Sequence, residues 1–149
     1  MAGTDHKQNL LAEGPSVILV EPQLGENIGM AARAMANFGL IDLRIVNPRD
    51  GWPSDSTNSA ASGALYVLEQ AKLFDTLAEA IEDLNYVVAT TARKRDGFKR
   101  VLGPVEASAN MRQRFDAGQG TRWHLLTSGS ISRTFAMPSS TVFCSPATS

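Results

Sequence analysis

The stretch Val17 to Pro48 constrains the fold of this chain more than any other part of it. It reads VILVEPQLGENIGMAARAMANFGLIDLRIVNP: an apolar run, a turn punctuated by Pro and Gly, a helical pattern, then a second apolar run. Ser16 to Val20 is short, β-branched and nearly all apolar, which fits a parallel strand covered on both faces. Pro22 and Gly25 break it. Asn27 is placed to cap a helix, and Glu26 sets negative charge beside the positive end of the helix dipole. From Ile28 the apolar positions 28, 31, 32, 35 and 38 recur at helical spacing. Gly39 stops that helix. Leu43 to Val46 reads as the second strand, closed by Asn47-Pro48.

The alternation continues downstream. Residues 51–59 are rich in Gly, Pro, Ser, Asp and Asn and read as loop. Ser59 to Ala64 can begin a small helix, and Tyr66 to Leu68 reads as a short strand. Asp75 to Leu84 is an amphipathic helix with Leu77, Ala80, Ile81 and Leu84 on one side. Tyr86 to Ala89 is a buried strand, Thr90 to Gly103 a basic loop, Pro104 to Phe115 a helix, and Trp123 to Leu126 a further strand. Strands alternating with helices predict an α/β domain with a mainly parallel, Rossmann-like sheet.

Three segments follow. Residues 1–15 read as a polar, flexible lead-in without the basic start and apolar block of a secretory signal. Residues 16–126 form the domain. Residues 127–149 break the pattern: they contain no Asp or Glu, and 13 of the 23 are Ser, Thr or Pro. That composition predicts a loosely attached tail with no regular element.

Composition narrows the function. With 14 basic and 15 acidic residues, the chain has no global attraction to nucleic acid or membrane, so any RNA contact must come from a local patch. One cysteine, Cys144, excludes an internal disulfide and a multi-cysteine metal site. His6 and His124 have no neighbours at metal-ligand spacing, and no apolar run reaches the length of a membrane span. The expectation is a cytoplasmic protein without metal or membrane partner.

The residues that can carry chemistry cluster at strand ends, where open α/β sheets bind ligands. Glu21 follows the first strand, Asn27 opens the first helix, and Arg33 lies off that helix's apolar stripe. Each also has a plainer reading, as a surface acid, a helix cap and a solvated helix residue. Thr90, Thr91 and Ala92 follow the strand at Tyr86, where small residues let a ligand approach the backbone. Arg93, Lys94, Arg95, Lys99 and Arg100, with Phe98 among them, form the concentrated basic patch and suit phosphate contact and base stacking. A solvated loop has the same composition.

NIGMAARAMANFGL followed by a strand ending in VNP resembles the first signature of the SpoU branch of the SPOUT RNA 2′-O-methyltransferases. VEP, FDTLAEAI and VVATTAR are similar to its TrmJ-type tRNA subgroup. The resemblance spans residues 16–126. It implies a sheet whose C-terminal segment threads into an α/β trefoil knot, S-adenosyl-L-methionine bound there, and a homodimer across which tRNA or rRNA lies. It implies that Arg33 is the catalytic arginine, that Asn27 and Glu21 sit beside it, and that Thr90, Thr91 and Ala92 contact the cofactor. A guanidinium does not give up its proton near neutral pH. The implied role of Arg33 is therefore to stabilise the 2′-alkoxide as it develops, not to act as a free base.

After WHLL the chain departs from the family. The loop and the final helix that enclose the cofactor there are replaced by TSGSISRTFAMPSSTVFCSPATS. This predicts an incomplete knot, weakened cofactor binding, and a frameshifted or truncated reading frame. A non-catalytic RNA-binding or dimerisation module stays open beside the enzyme, as does a generic Rossmann-like binder of small molecules.

Overall fold

A computed structural model describes residues 14–90, 100–117, 123–128 and 141–144. Its elements in order are β1 (Ser16–Val20), α1 (Gly25–Asn37), β2 (Leu43–Val46), α2 (Asp55–Ala61), α3 (Leu65–Glu69), β3 (Lys72–Phe74), α4 (Leu77–Ile81), β4 (Tyr86–Thr90), β5 (Val101–Leu102), α5 (Pro104–Asp116), β6 (Trp123–Ser128) and β7 (Thr141–Cys144). The strands form one sheet in the order β3-β2-β1-β6-β4-β7-β5. Every pairing among them is parallel, as the alternating pattern predicts.

The two faces of the sheet bury different partners. Val17, Leu19, Leu43 and Ile45 point to one side and pack with Ile28, Ala32 and Met35 of α1, Ala61 of α2, and Val67 and Leu68 of α3. Further along the same sheet Tyr86 and Val88 meet Leu102 of β5 and Ala107 of α5. The alternate residues Ile18, Val20, Val46, Val87 and Ala89 pack on the other side against Leu77, Ala80 and Ile81 of α4. The strands therefore carry apolar side chains on both faces, which is why they read as continuous apolar runs and not as alternation.

α1 and α2 approach closely, and two glycines permit it. A Cβ on Gly29 would press into the Thr57 carbonyl oxygen and to within 2.7 Å of the Ala60 Cβ; one on Gly25 would lie 2.7 Å from Thr57 Oγ1. Both glycines lie on one face of α1, four residues apart, so the Gly-x-x-x-Gly spacing is a helix-packing device here.

The structure corrects several sequence expectations. Residues 55–59, expected as loop, belong to the helix Asp55–Ala61: the Ser54 hydroxyl accepts from the Thr57 amide at 3.4 Å and Asp55 sits in the first turn. Tyr66 to Leu68 is helical. The helix expected over 75–84 is confined to Leu77–Ile81, opened by the Thr76 hydroxyl accepting from the Glu79 amide. Asn27 is not the cap of α1. The helix starts at Gly25, with Leu24 at the capping position, and the Asn27 amide donates to the Leu24 carbonyl at 3.1 Å. Thr141–Cys144, inside the tail expected to hold no regular element, forms β7 and pairs on both sides, with β4 and with β5. The path expected of the knot runs through 129–140 and 145–149, outside the described residues.

Candidate functional site

Parallel strands end together, and the edge where they end gathers the candidate residues. β1 stops at Val20 and Glu21 turns out of it at φ 47°; β2 stops at Val46 and Asn47 does the same at φ 43°. Non-glycine residues held in this left-handed region cost about 1 kcal/mol or more each, and such costs concentrate at functional edges. Both amides stay in the ladder. Glu21 donates to the Val46 carbonyl at 2.8 Å and Asn47 to the Phe74 carbonyl at 3.0 Å.

The 47–50 loop grips the 21–25 loop. The Arg49 amide donates to the Pro22 carbonyl at 3.1 Å. The Asp50 carboxylate accepts from the Gly25 amide at 3.2 Å, and so answers one of the open donors at the start of α1. Arg49 Nη2 lies 3.9 Å from Glu21 Oε2, with both side chains largely in solvent. Sequence reading missed Arg49 and Asp50. The signal was the Asn47-Pro48-Arg49-Asp50 run directly after a strand end.

Thr90 ends β4, in register with Cys144 of β7. Glu21 and Thr90 share the same sheet edge, separated by β6, which puts their backbones on the order of 10 Å apart. Arg33 is exposed on α1, eight residues beyond its start and about 12 Å along its axis. Asn27 is exposed near the start of the same helix. Within one chain the edge thus brings together Glu21, Asn27 and Thr90, while Arg33 stands two turns away on the outer side of α1. Met30 on α1 and Phe38, just past its end, are also exposed, by 56% and 76%. Arg100 is exposed just before β5. Thr91, Ala92, Arg93, Lys94, Arg95 and Lys99 lie outside the described residues.

A second polar cluster is internal. Arg44, 3% exposed in the middle of β2, sends Nη1 to the Ala80 carbonyl at 2.7 Å and both terminal nitrogens to Asp83, at 2.6 and 2.9 Å. It also reaches Asp42 at 3.3 Å, and the Ser16 hydroxyl donates to the same Asp42 oxygen. Burial pushes the Asp42 carboxyl up, but the Ser16 hydroxyl, Arg44 and Lys72 outweigh it and hold it below the usual range. The hydrogen bond to Asp83 is the main reason the Arg44 guanidinium is held above its usual value, against the opposing effect of burial. A groove of about 460 Å³ beside this cluster is lined by Arg44, Lys72, Phe74, Glu79, Glu82 and Asp83. Both terminal nitrogens of Arg44 are engaged, while its buried Nε has no hydrogen-bond partner among the described residues; the cluster clamps the α4 end to β2.

Known proteins resemble the chain in sequence and fold. The chain is 43% identical over 91 residues to the "Uncharacterized tRNA/rRNA methyltransferase LasT" of Escherichia coli K12, a match covering 61% of this chain and 40% of the relative. It is 38% identical over 101 residues to the tRNA (cytidine/uridine/adenosine-2′-O-)-methyltransferase TrmJ of Pseudomonas aeruginosa, covering 68% of this chain and 39% of that protein. The matched region thus spans about two fifths of these relatives' length. The crystal structure of TrmJ from Z. mobilis ZM4 superposes with a TM-score of 0.78 at 45% identity, covering 90% of this chain and 59% of that one. A family model described as the SpoU rRNA Methylase family matches residues 14–111, well over half of the chain. The chain belongs to the SpoU methylase family.

Proposed function

We propose that this chain transfers a methyl group to a ribose 2′-hydroxyl of tRNA, as a homodimer, in the cytoplasm, with S-adenosyl-L-methionine as donor. The observation that carries this reading is the SpoU family match over residues 14–111. Relatives named for tRNA 2′-O-methylation, at 38% and 44% identity, support the choice of RNA and of reacting atom.

The cofactor is placed at the end of β4, where the chain leaves the core: Ala89 is buried and Thr90 is only partly so. Thr90 would hold it, together with Thr91 and Ala92. When bound, S-adenosyl-L-methionine supplies an electrophilic methyl on sulfonium. Arg33 stabilises negative charge on the ribose 2′-oxygen as its proton passes to water or to an RNA phosphate. Asn27 and Glu21 offer hydrogen-bonding groups to the ribose at the sheet edge. The replaced family motifs over 127–149 are expected to weaken cofactor affinity; a calorimetric titration returning micromolar affinity would remove that expectation.

A dimer accounts for the position of Arg33. A second copy seated on α1 covers Met30 and Phe38 and carries Arg33 to the partner's sheet edge. The pair Met30→Glu with Phe38→Glu is expected to give a monomer by sedimentation; an unchanged dimer would place the interface elsewhere. The reaction itself is tested with the full chain, a tRNA transcript and methyl-labelled S-adenosyl-L-methionine. Label is expected in the nuclease-resistant dinucleotides that a 2′-O-methyl ribose leaves. Binding of tRNA without any transfer would overturn the enzymatic reading in favour of an RNA-binding module.

A further inference from the structure

The six described arginines divide by what their guanidinium groups already hold. Arg44 is spent on Ala80, Asp83 and Asp42. Arg112 donates to Asp116 at 3.3 Å, and Arg114 donates to Asn110 at 3.1 Å while lying 4.3 Å over the Tyr86 ring. Arg33, Arg49 and Arg100 make no guanidinium hydrogen bond among the described residues. Two of these three were singled out by the sequence, Arg33 for the reaction and Arg100 for RNA. Arg49 was not, and nothing above gives it a ligand.

We propose that Arg49 is an RNA phosphate contact on the sheet edge; the inference rests on the RNA-methyltransferase reading. Three observations carry it. The residue is placed where ligands of open α/β sheets bind, directly after β2. Its backbone is fixed there, through its own amide on Pro22 and its neighbour Asp50 on Gly25. Its side chain is 58% exposed, and the Glu21 carboxylate stands at 3.9 Å, beyond hydrogen-bond distance. An exposed pair this long contributes little, so exchanging it for a phosphate gives up little. A phosphate takes the planar fork through two parallel N–H donors, a stronger and better-directed contact.

The near-balanced net charge makes each such cation matter, because RNA affinity must be assembled locally. It also makes the contact measurable through salt. Binding of a tRNA transcript to the full chain is followed over a salt series for the natural protein, Arg49→Ala, Arg49→Lys and Arg112→Ala. Arg49→Ala is expected to weaken binding about fivefold and to reduce the slope of log affinity against log salt by about one. Arg49→Lys keeps the charge and should keep the slope, and Arg112→Ala should match the natural protein. If Arg49→Ala matches it as well, or if Arg49→Lys loses the slope, this contact is overturned while the methyltransferase reading stands. If the natural chain binds no tRNA, the reading falls and the contact falls with it.

Discussion

Arg44, inside β2, gives its guanidinium to one backbone carbonyl and two carboxylates; Arg33, on the neighbouring α1, gives its own to no acceptor among the described residues. The two differ in burial as they differ in partners. A buried cation must be answered on the spot, because leaving it unanswered costs several kcal/mol. An exposed one is answered by water and stays available. Residue type therefore says little about role in this fold, and the inventory of acceptors around each side chain says a good deal. The region around Arg44 should respond to mutation through stability, and the outer side of α1 through chemistry and assembly.

Four measurements bear on that contrast. Arg44→Ala strands Asp42 and Asp83 and removes the clamp on α4, so a loss of about 3 kcal/mol is expected in chemical denaturation; per folded molecule, tRNA binding should not change. Arg33→Ala should do the reverse. Methyl transfer should fall on the order of a hundredfold, while stability stays within about 0.5 kcal/mol. A large stability loss there would erase the distinction between the two arginines. Gly29→Ala forces a methyl group into the α2 backbone, and about 2 kcal/mol should be lost; a variant as stable as the natural protein would mean that α1 and α2 are less tightly seated than described. The smallest effect concerns acid. The Asp42 carboxyl is held below its ordinary value of 3.8 in the folded chain. Its contribution is therefore present above that value and lost as pH falls through the lower, folded one. Stability should decline below about pH 4, and Asp42→Asn should flatten that limb of the profile.

Much of the central sheet was legible, and the reason is physical. β1 and β2 were read with their observed bounds, and β4 to within one residue, because strands buried on both faces leave no polar alternation to confuse the pattern. What failed was governed by contacts distant in sequence. α2 has turn-like composition, and its place is set by the two glycines of α1. β3 is a partly exposed edge strand with little apolar signal. β7 is a four-residue strand whose neighbours in sequence argue for a loose tail; its two pairing partners override them. At the candidate site, Glu21, Asn27 and Thr90 were readable as strand-end and helix-start residues. Arg49 and Asp50 were not, since their importance comes from reaching a loop more than twenty residues away. The buried role of Arg44 was hidden in the same way, because Asp83 and the Ala80 carbonyl lie more than thirty residues away.

The strand order has a consequence for how the molecule comes together during synthesis. β6 stands between β1 and β4, and β7 between β4 and β5. The ribosome thus delivers each joining strand after the strands it joins. Until about residue 123 has emerged, β1 and β4 have no common neighbour, and until about residue 141 the β5 edge has nothing to lie against. The early part can collapse around α1 and β2, but closure waits for pairings distant in sequence, which fold slowly and leave strand edges open meanwhile. The nascent chain therefore keeps strand edges open until β7 has emerged, and a stop codon placed just before residue 141 should do more harm than the loss of a four-residue strand would imply.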